Sequence, residues 1–186
     1  MAVILRKTLV DWTRATGPAF MLVGPVRGAQ DWQHDCYRML ESELNGKFMA
    51  YIPRRYDETH PLFALQASGD PNGFPRQTDA ERYYISQAGS GLYGGCVIAW
   101  LPCEDPENPR PKEEGPYAQD TYGELGEIRG RMMHNPLFRF VLGAEKGFPG
   151  LDVMTRNFEL ALEERLAIHS TLEETVAAAL KKTEAA

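Results

Sequence analysis

Ala19-Phe20-Met21-Leu22-Val23-Gly24-Pro25 is a run of five apolar residues stopped by a glycine and a proline. A strand with one face in water alternates apolar and polar residues. An unbroken run this short reads instead as a strand buried on both faces, as in a parallel sheet. From Asp31 the period changes. Trp32, Cys36, Leu40 and Leu44 recur at a spacing of four, the mark of one helical face, and Asn45-Gly46 closes that helix. Strand, glycine-containing loop and helix together set the theme for the rest of the chain.

The theme repeats outward. Phe48 to Ile52 reads as a second strand, ended by Pro53 and the pair Arg54-Arg55. Between Gln66 and Gln77, Gly69, Pro71, Gly73 and Pro75 favour a surface loop or lid, and helix resumes near Asp79. Cys96 to Leu101 is the most strand-like run and is stopped by Pro102, which makes it the expected central strand. Glu104 to Asp120 holds four prolines and many charges, so it should be a long exposed loop beyond that strand's carboxyl end. Thr121 to His134 reads as a helix, Phe138 to Leu142 as a strand closed by Gly143, and Leu151 to Glu163 as a helix. Arg165 to His169 reads as a last strand and Ser170 to Lys182 as a last helix.

Parallel strands need crossover connections, so this alternation implies an α/β fold: a flavodoxin-like, doubly wound sandwich with a five-stranded parallel sheet. The expected domain spans 19–186, with 1–18 as an N-terminal extension. Ligands of such sheets bind beyond the carboxyl ends of the strands, where the loops after Val23, Ile52 and Leu101 should converge.

Composition narrows the function. A chain of 186 residues with 43% hydrophobic content supports one core. A net charge of -6 argues against non-specific nucleic-acid binding, which needs an excess of Lys and Arg. Cys36, Cys96 and Cys103 form neither a disulfide framework nor a zinc pattern, and a reducing, cytoplasmic setting fits them best. The apolar stretch Ala2 to Leu5 is far too short for a signal segment or membrane span. His34, His60, His134 and His169 are scattered without ligand spacing, and the acidic run Glu104-Asp105-Pro106-Glu107 reads as solvated loop, so no metal is expected.

Several segments together resemble the nucleoside 2-deoxyribosyltransferase-like family. They are Leu22 to Trp32, Ile52-Pro53-Arg54-Arg55, Trp100-Leu101-Pro102, Tyr117 to Gly126, Gly147-Phe148-Pro149-Gly150 and Ser170 to Thr175. The resemblance implies an enzyme acting on a deoxynucleoside or its 5′-monophosphate by transfer to a second base or to water, without a cofactor. It also implies a homo-oligomer whose small-molecule partners are nucleoside or nucleotide and free nucleobase. The family's nucleophilic glutamate falls on Glu124, which would form a glycosyl ester as the base leaves. Gly24, Pro25, Arg27, Arg54, Asp79, Gln87, Pro102, Asp120 and Tyr122 are the expected substrate-binding residues.

Each has a plainer reading beside it. Thr121-x-x-Glu124 is also a capping-box spacing, repeated at Thr78-x-x-Glu81 and Ser170-x-x-Glu173. Arg27 can hold a ribose oxygen or phosphate, or be a solvated loop arginine. Tyr51 and Tyr56 can stack on a base or fill a core edge, and Trp32 reads as helix core. The sequence departs from the family near Ser86-Gln87, where related chains place an acid, and Asp79, Glu81 and Asp120 are the candidates to replace it. That departure also leaves open a catalytically silent nucleotide-binding module.

Overall fold

The computed structural model describes residues 2–54 and 56–184. Six strands form one sheet: β1 (Ala2–Leu5), β2 (Ala19–Val23), β3 (Met49–Ile52), β4 (Val97–Leu101), β5 (Phe140–Ala144) and β6 (Ile168–His169). Their order is β1-β3-β2-β4-β5-β6 and every pairing is parallel. The helices are α1 (Trp32–Leu44), α2 (Gln77–Gly89), α3 (Gln119–His134), α4 (Leu151–Leu162) and α5 (Leu172–Glu184). Without β1 the arrangement is consistent with a flavodoxin-like sheet. No helix is long and apolar enough to cross a membrane among the described residues.

Period-two alternation along the strands divides the core. Phe20, Leu22, Ile98 and Trp100 face the layer of α1 and α5, where they meet Cys36, Leu40, Val176 and Ala179. Met21, Val23, Val97 and Ala99 face the layer of α2, α3 and α4, against Tyr84, Ile85, Leu125 and Phe158. All five residues of β2 are fully buried, which is why its sequence shows no polar break.

Two expectations are corrected at the sheet's edges. Ala2–Leu5 is a sixth strand, paired with β3 in register Val3 to Ala50, and the surrounding residues pack on the domain. Val3, Ile4 and Leu5 are fully buried although β1 is an edge strand, because residues 61–67 cover it and the Ala67 amide donates to the Val3 carbonyl at 2.7 Å. The segment after β1 is pinned in the same way. Leu9 exchanges backbone hydrogen bonds with Asp70, and Trp12 stacks on Tyr84 at 5.1 Å. The glycine- and proline-rich stretch 66–77 is therefore a loop tied to the N-terminal segment.

At the other side, β5 starts two residues later than its apolar run and continues through Gly143. A Cβ on Gly143 would lie 1.9 Å from Thr175 Oγ1, so this glycine lets α5 sit close to the sheet and does not end the strand. β6 is only two residues long, shorter than the apolar pattern of 165–169.

Candidate active site

The chain runs from β2 through α1 to β3, then crosses back past β2 to β4. The topological switch therefore falls between β2 and β4, and the loops beyond their carboxyl ends diverge to leave a crevice. A cleft of about 810 Å³ opens there. Gly24, Pro25, Val26 and Arg27 form its floor after β2, Pro53 and Arg54 its side after β3, and Arg110 its edge in the loop after β4. Two helices make the walls: Gln77, Thr78, Glu81, Arg82 and Ile85 from α2 face Asp120, Gly123, Glu124 and Glu127 from α3. Gly24 is required by close approach, since a Cβ there would stand 2.1 Å from the Trp100 carbonyl oxygen of β4.

Glu124 sits in the second turn of α3, partly open to the cleft. The helix begins two residues earlier than its apolar pattern, at Gln119, after an N-cap residue, Ala118, that adopts a left-handed conformation and supplies no side-chain cap. Thr121 thus lies inside the helix, and Glu124 is not a capping residue. Among the described residues its carboxyl group has no hydrogen-bond or ion-pair partner. Desolvation pushes its pKa well above the ordinary carboxylate range, and the neighbouring charges of Glu81, Asp120 and Glu127 push in the same direction.

The other carboxylates of the cleft are engaged. Glu127 accepts from Arg82 Nε at 2.9 Å and Arg131 Nη2 at 2.6 Å, and Arg131 also donates to Ser86 Oγ at 3.0 Å. Glu81 accepts from Gln77 Nε2 at 3.1 Å. Beside the α3 N-terminus, Arg110 donates to the Glu114 carbonyl at 2.7 Å and approaches Asp120 at 3.5 Å. Arg27 pairs with the Glu114 carboxylate at 2.6 Å.

Six of the ten residues singled out by sequence line this cleft: Gly24, Pro25, Arg27, Arg54, Asp120 and Glu124. The remaining four have other places. Asp79 accepts from the Arg76 amide at 3.1 Å and so holds the first turn of α2. Gln87 lies in the last turn of α2, its carbonyl accepting from Ser90 Oγ. The Pro102 carbonyl accepts from the Tyr117 hydroxyl at 2.8 Å, and Tyr122 donates to the Pro149 carbonyl at 2.6 Å on the far side of α3. Tyr51 is buried and stacks on Tyr84, while Tyr56 stacks on His60, so both fill core edges. Trp32 is core, its indole N–H donating to the Pro25 carbonyl at 2.8 Å. Arg55 lies outside the described residues.

At the α5 start the cap is Thr171 with Glu174, one residue later than Ser170-x-x-Glu173 suggests: the Glu174 amide donates to Thr171 Oγ1 at 3.1 Å. His34 and His60, distant in sequence, come together with Asp31 so that one ligand atom from each lies within 4.8 Å of the others. Here His60 Nδ1 accepts from the Leu62 amide, which leaves the ring proton on Nε2 facing Asp31 at 3.5 Å. Asp31 also accepts from the Tyr56 hydroxyl at 2.7 Å and lies 3.7 Å from Arg54. The cluster thereby holds Arg54 at the cleft's side.

Gln77, Arg82, Arg110 and Glu127 were not singled out by sequence. Helical phase offers a signal for Gln77 and Glu127, because Gln77, Glu81 and Ile85 fall on one face of α2, as Asp120, Glu124 and Glu127 do on α3. Arg110 carries no such signal in its proline-broken loop.

Fold and site together define an α/β protein with a carboxylate- and arginine-lined cleft at its topological switch. Compared with known proteins, the chain matches no family model, and no curated sequence is significantly similar to it.

Proposed function

We propose that this cleft cleaves the N-glycosidic bond of a 2-deoxyribonucleoside or its nucleotide, with Glu124 as the nucleophile. One observation carries the reading: an unpaired, desolvated carboxyl group stands between two helices at the ligand-binding edge of the sheet. In its ionised form Glu124 attacks the anomeric carbon, the C–N bond breaks, and its electron pair leaves with the base, which takes up a proton. The second half reverses this. Water or another base attacks the same carbon, the glycosyl ester breaks, and the Glu124 carboxylate is restored.

Glu81 is the acid we assign to the leaving base. It lines the opposite wall, and its charge helps to raise the pKa of Glu124. This replaces the acid missing near Gln87. Transfer and hydrolysis share the first half-reaction and differ in the acceptor that the closed cleft admits.

The test is incubation with deoxynucleosides and deoxynucleotides, with and without a second free base. Free base or exchanged nucleoside is the expected product, and Glu124→Ala should abolish it. Absence of base release from every one of them would overturn the reading. A second reading, a silent nucleotide-binding module, is favoured by the raised pKa of Glu124, since a neutral carboxyl donates a hydrogen bond and does not attack. Thermal stabilisation by nucleotides without turnover at any pH would identify it.

A further inference from the structure

We propose that Gln77 positions Glu81 for proton delivery, and that the N-terminal segment sets which way Gln77 faces. This rests on the glycosidic reading, in which Glu81 is the acid, and adds to it a chain of hydrogen bonds that begins at the backbone of Arg6. Arg6 follows β1, upstream of every segment that resembles the family. It adopts a left-handed φ of 59°, uncommon for a residue with a Cβ. Its side chain is anchored, with Nη2 donating to the Tyr56 carbonyl at 3.3 Å and the guanidinium over the Phe63 ring. In that conformation the Arg6 carbonyl accepts from the Tyr51 hydroxyl at 2.8 Å.

From there each hydrogen bond dictates the next. A carbonyl can only accept, so Tyr51 must donate to it. Burial first, and then the charge of Glu81, push the pKa of Tyr51 up, so its hydroxyl keeps that proton. A hydroxyl has one hydrogen. With it committed to Arg6, Tyr51 offers only lone pairs to the side-chain amide of Gln77, 2.6 Å away. Gln77 must therefore present its nitrogen and cannot turn its oxygen that way. The same nitrogen carries a second hydrogen, which goes to Glu81 Oε1 at 3.1 Å.

The consequence is chemical. An oxygen that bears a proton accepts poorly, so in protonated Glu81 the Gln77 bond takes Oε1 and the acidic proton sits on Oε2. As that proton leaves for the base the carboxylate forms, and the bond from Gln77 becomes charge-assisted and stronger. An interaction that grows along the reaction raises kcat more than it raises affinity. Gln77 and Glu81 stand one turn apart on α2 and line the cleft together, so the contact is made where the acid is needed.

The experiment uses the full chain and two substrates, a deoxynucleoside and the nitrophenyl 2-deoxyriboside, whose nitrophenolate leaves without a proton. Gln77→Met and the isosteric Gln77→Glu both lose the two donors. In each, the ratio of kcat for the nucleoside to kcat for the nitrophenyl substrate should fall at least about tenfold, with KM little changed. Glu81→Gln should show the same fall, whereas Glu124→Ala removes turnover of both substrates. Tyr51→Phe, which lets Gln77 turn over, should reproduce part of the fall; the Gln77 variants test the proposal without that buried change. An unchanged ratio in both Gln77 variants overturns the proposal, as does an equal loss on both substrates, the mark of a merely structural role. A second readout needs no turnover. The Gln77 side-chain amide resonances should shift as Glu81 titrates, and Glu81→Gln should lose that shift. Amide signals that ignore Glu81 overturn the proposal, whereas a protein that cleaves neither substrate while those signals follow Glu81 sinks only the glycosidic chemistry.

Discussion

Glu124 and Glu127 stand one turn apart on the same helix and open on the same cleft, yet they occupy opposite electrostatic settings. Glu127 is held by two guanidinium groups, one from α2 and one from its own helix. Glu124 has no such partner and feels three other carboxylates. The difference teaches how one wall holds two settings: a paired carboxylate ties α3 to α2, while an unpaired one is left facing the cleft. Position on the helix does not separate the two roles; the reach of Arg82 and Arg131 does.

The largest way to break this comparison is through activity. Glu124→Ala should lower base release by at least about a thousandfold, whereas Glu127→Gln should keep it within about tenfold. Parity between the two in a base-release assay would erase the distinction. The pH profile sharpens it next. In the proposed mechanism only ionised Glu124 attacks, so the acid limb of kcat should have its midpoint above the ordinary carboxylate range, and Glu81→Gln, which removes a charge raising that pKa, should move the midpoint down.

Stability gives a smaller effect of definite sign. The folded-state pKa of Glu124 lies above its unfolded value. Its contribution is therefore fully present below the unfolded pKa and is lost as pH rises through the folded one. Glu124→Gln should accordingly match the wild-type Tm in acid and exceed it at neutral and alkaline pH. The smallest effect belongs to Glu127→Gln, which should destabilise at neutral pH by no more than about 1 kcal/mol, since Arg82 is 69% exposed and solvent screens its pair. Denaturant melts at several pH values check both.

Much of the central sheet was legible because β2 and β4 are buried on both faces and write uninterrupted apolar runs. β1 was not, because its four residues become a strand only through β3 and the covering segment 61–67, contacts far away in sequence. In the site, Glu124 and the loop after β2 were visible through segment order at strand ends. Asp79 and Gln87 lie off the cleft because of helical phase: Thr78, Glu81, Arg82 and Ile85 share the cleft face of α2, and residues 79 and 87 fall off it. Tyr122 lies off the cleft for the same reason on α3, two residues from Glu124 and hence on the opposite side. The meeting of His34 with His60, and of Arg82 with Glu127, depends on tertiary proximity that no local pattern encodes.

α3 also carries Gly123, Gly126 and Gly130, and a methyl group at any of them would meet nothing within 4 Å. Each glycine costs a helix roughly 1 kcal/mol relative to alanine, so this wall is built from weak helix formers where stronger ones would fit. At Gly123 the bare backbone borders the cleft itself. Gly123→Ala would stiffen the helix and narrow the passage in one step, which makes that single hydrogen atom a dial between rigidity and the girth of the molecule admitted.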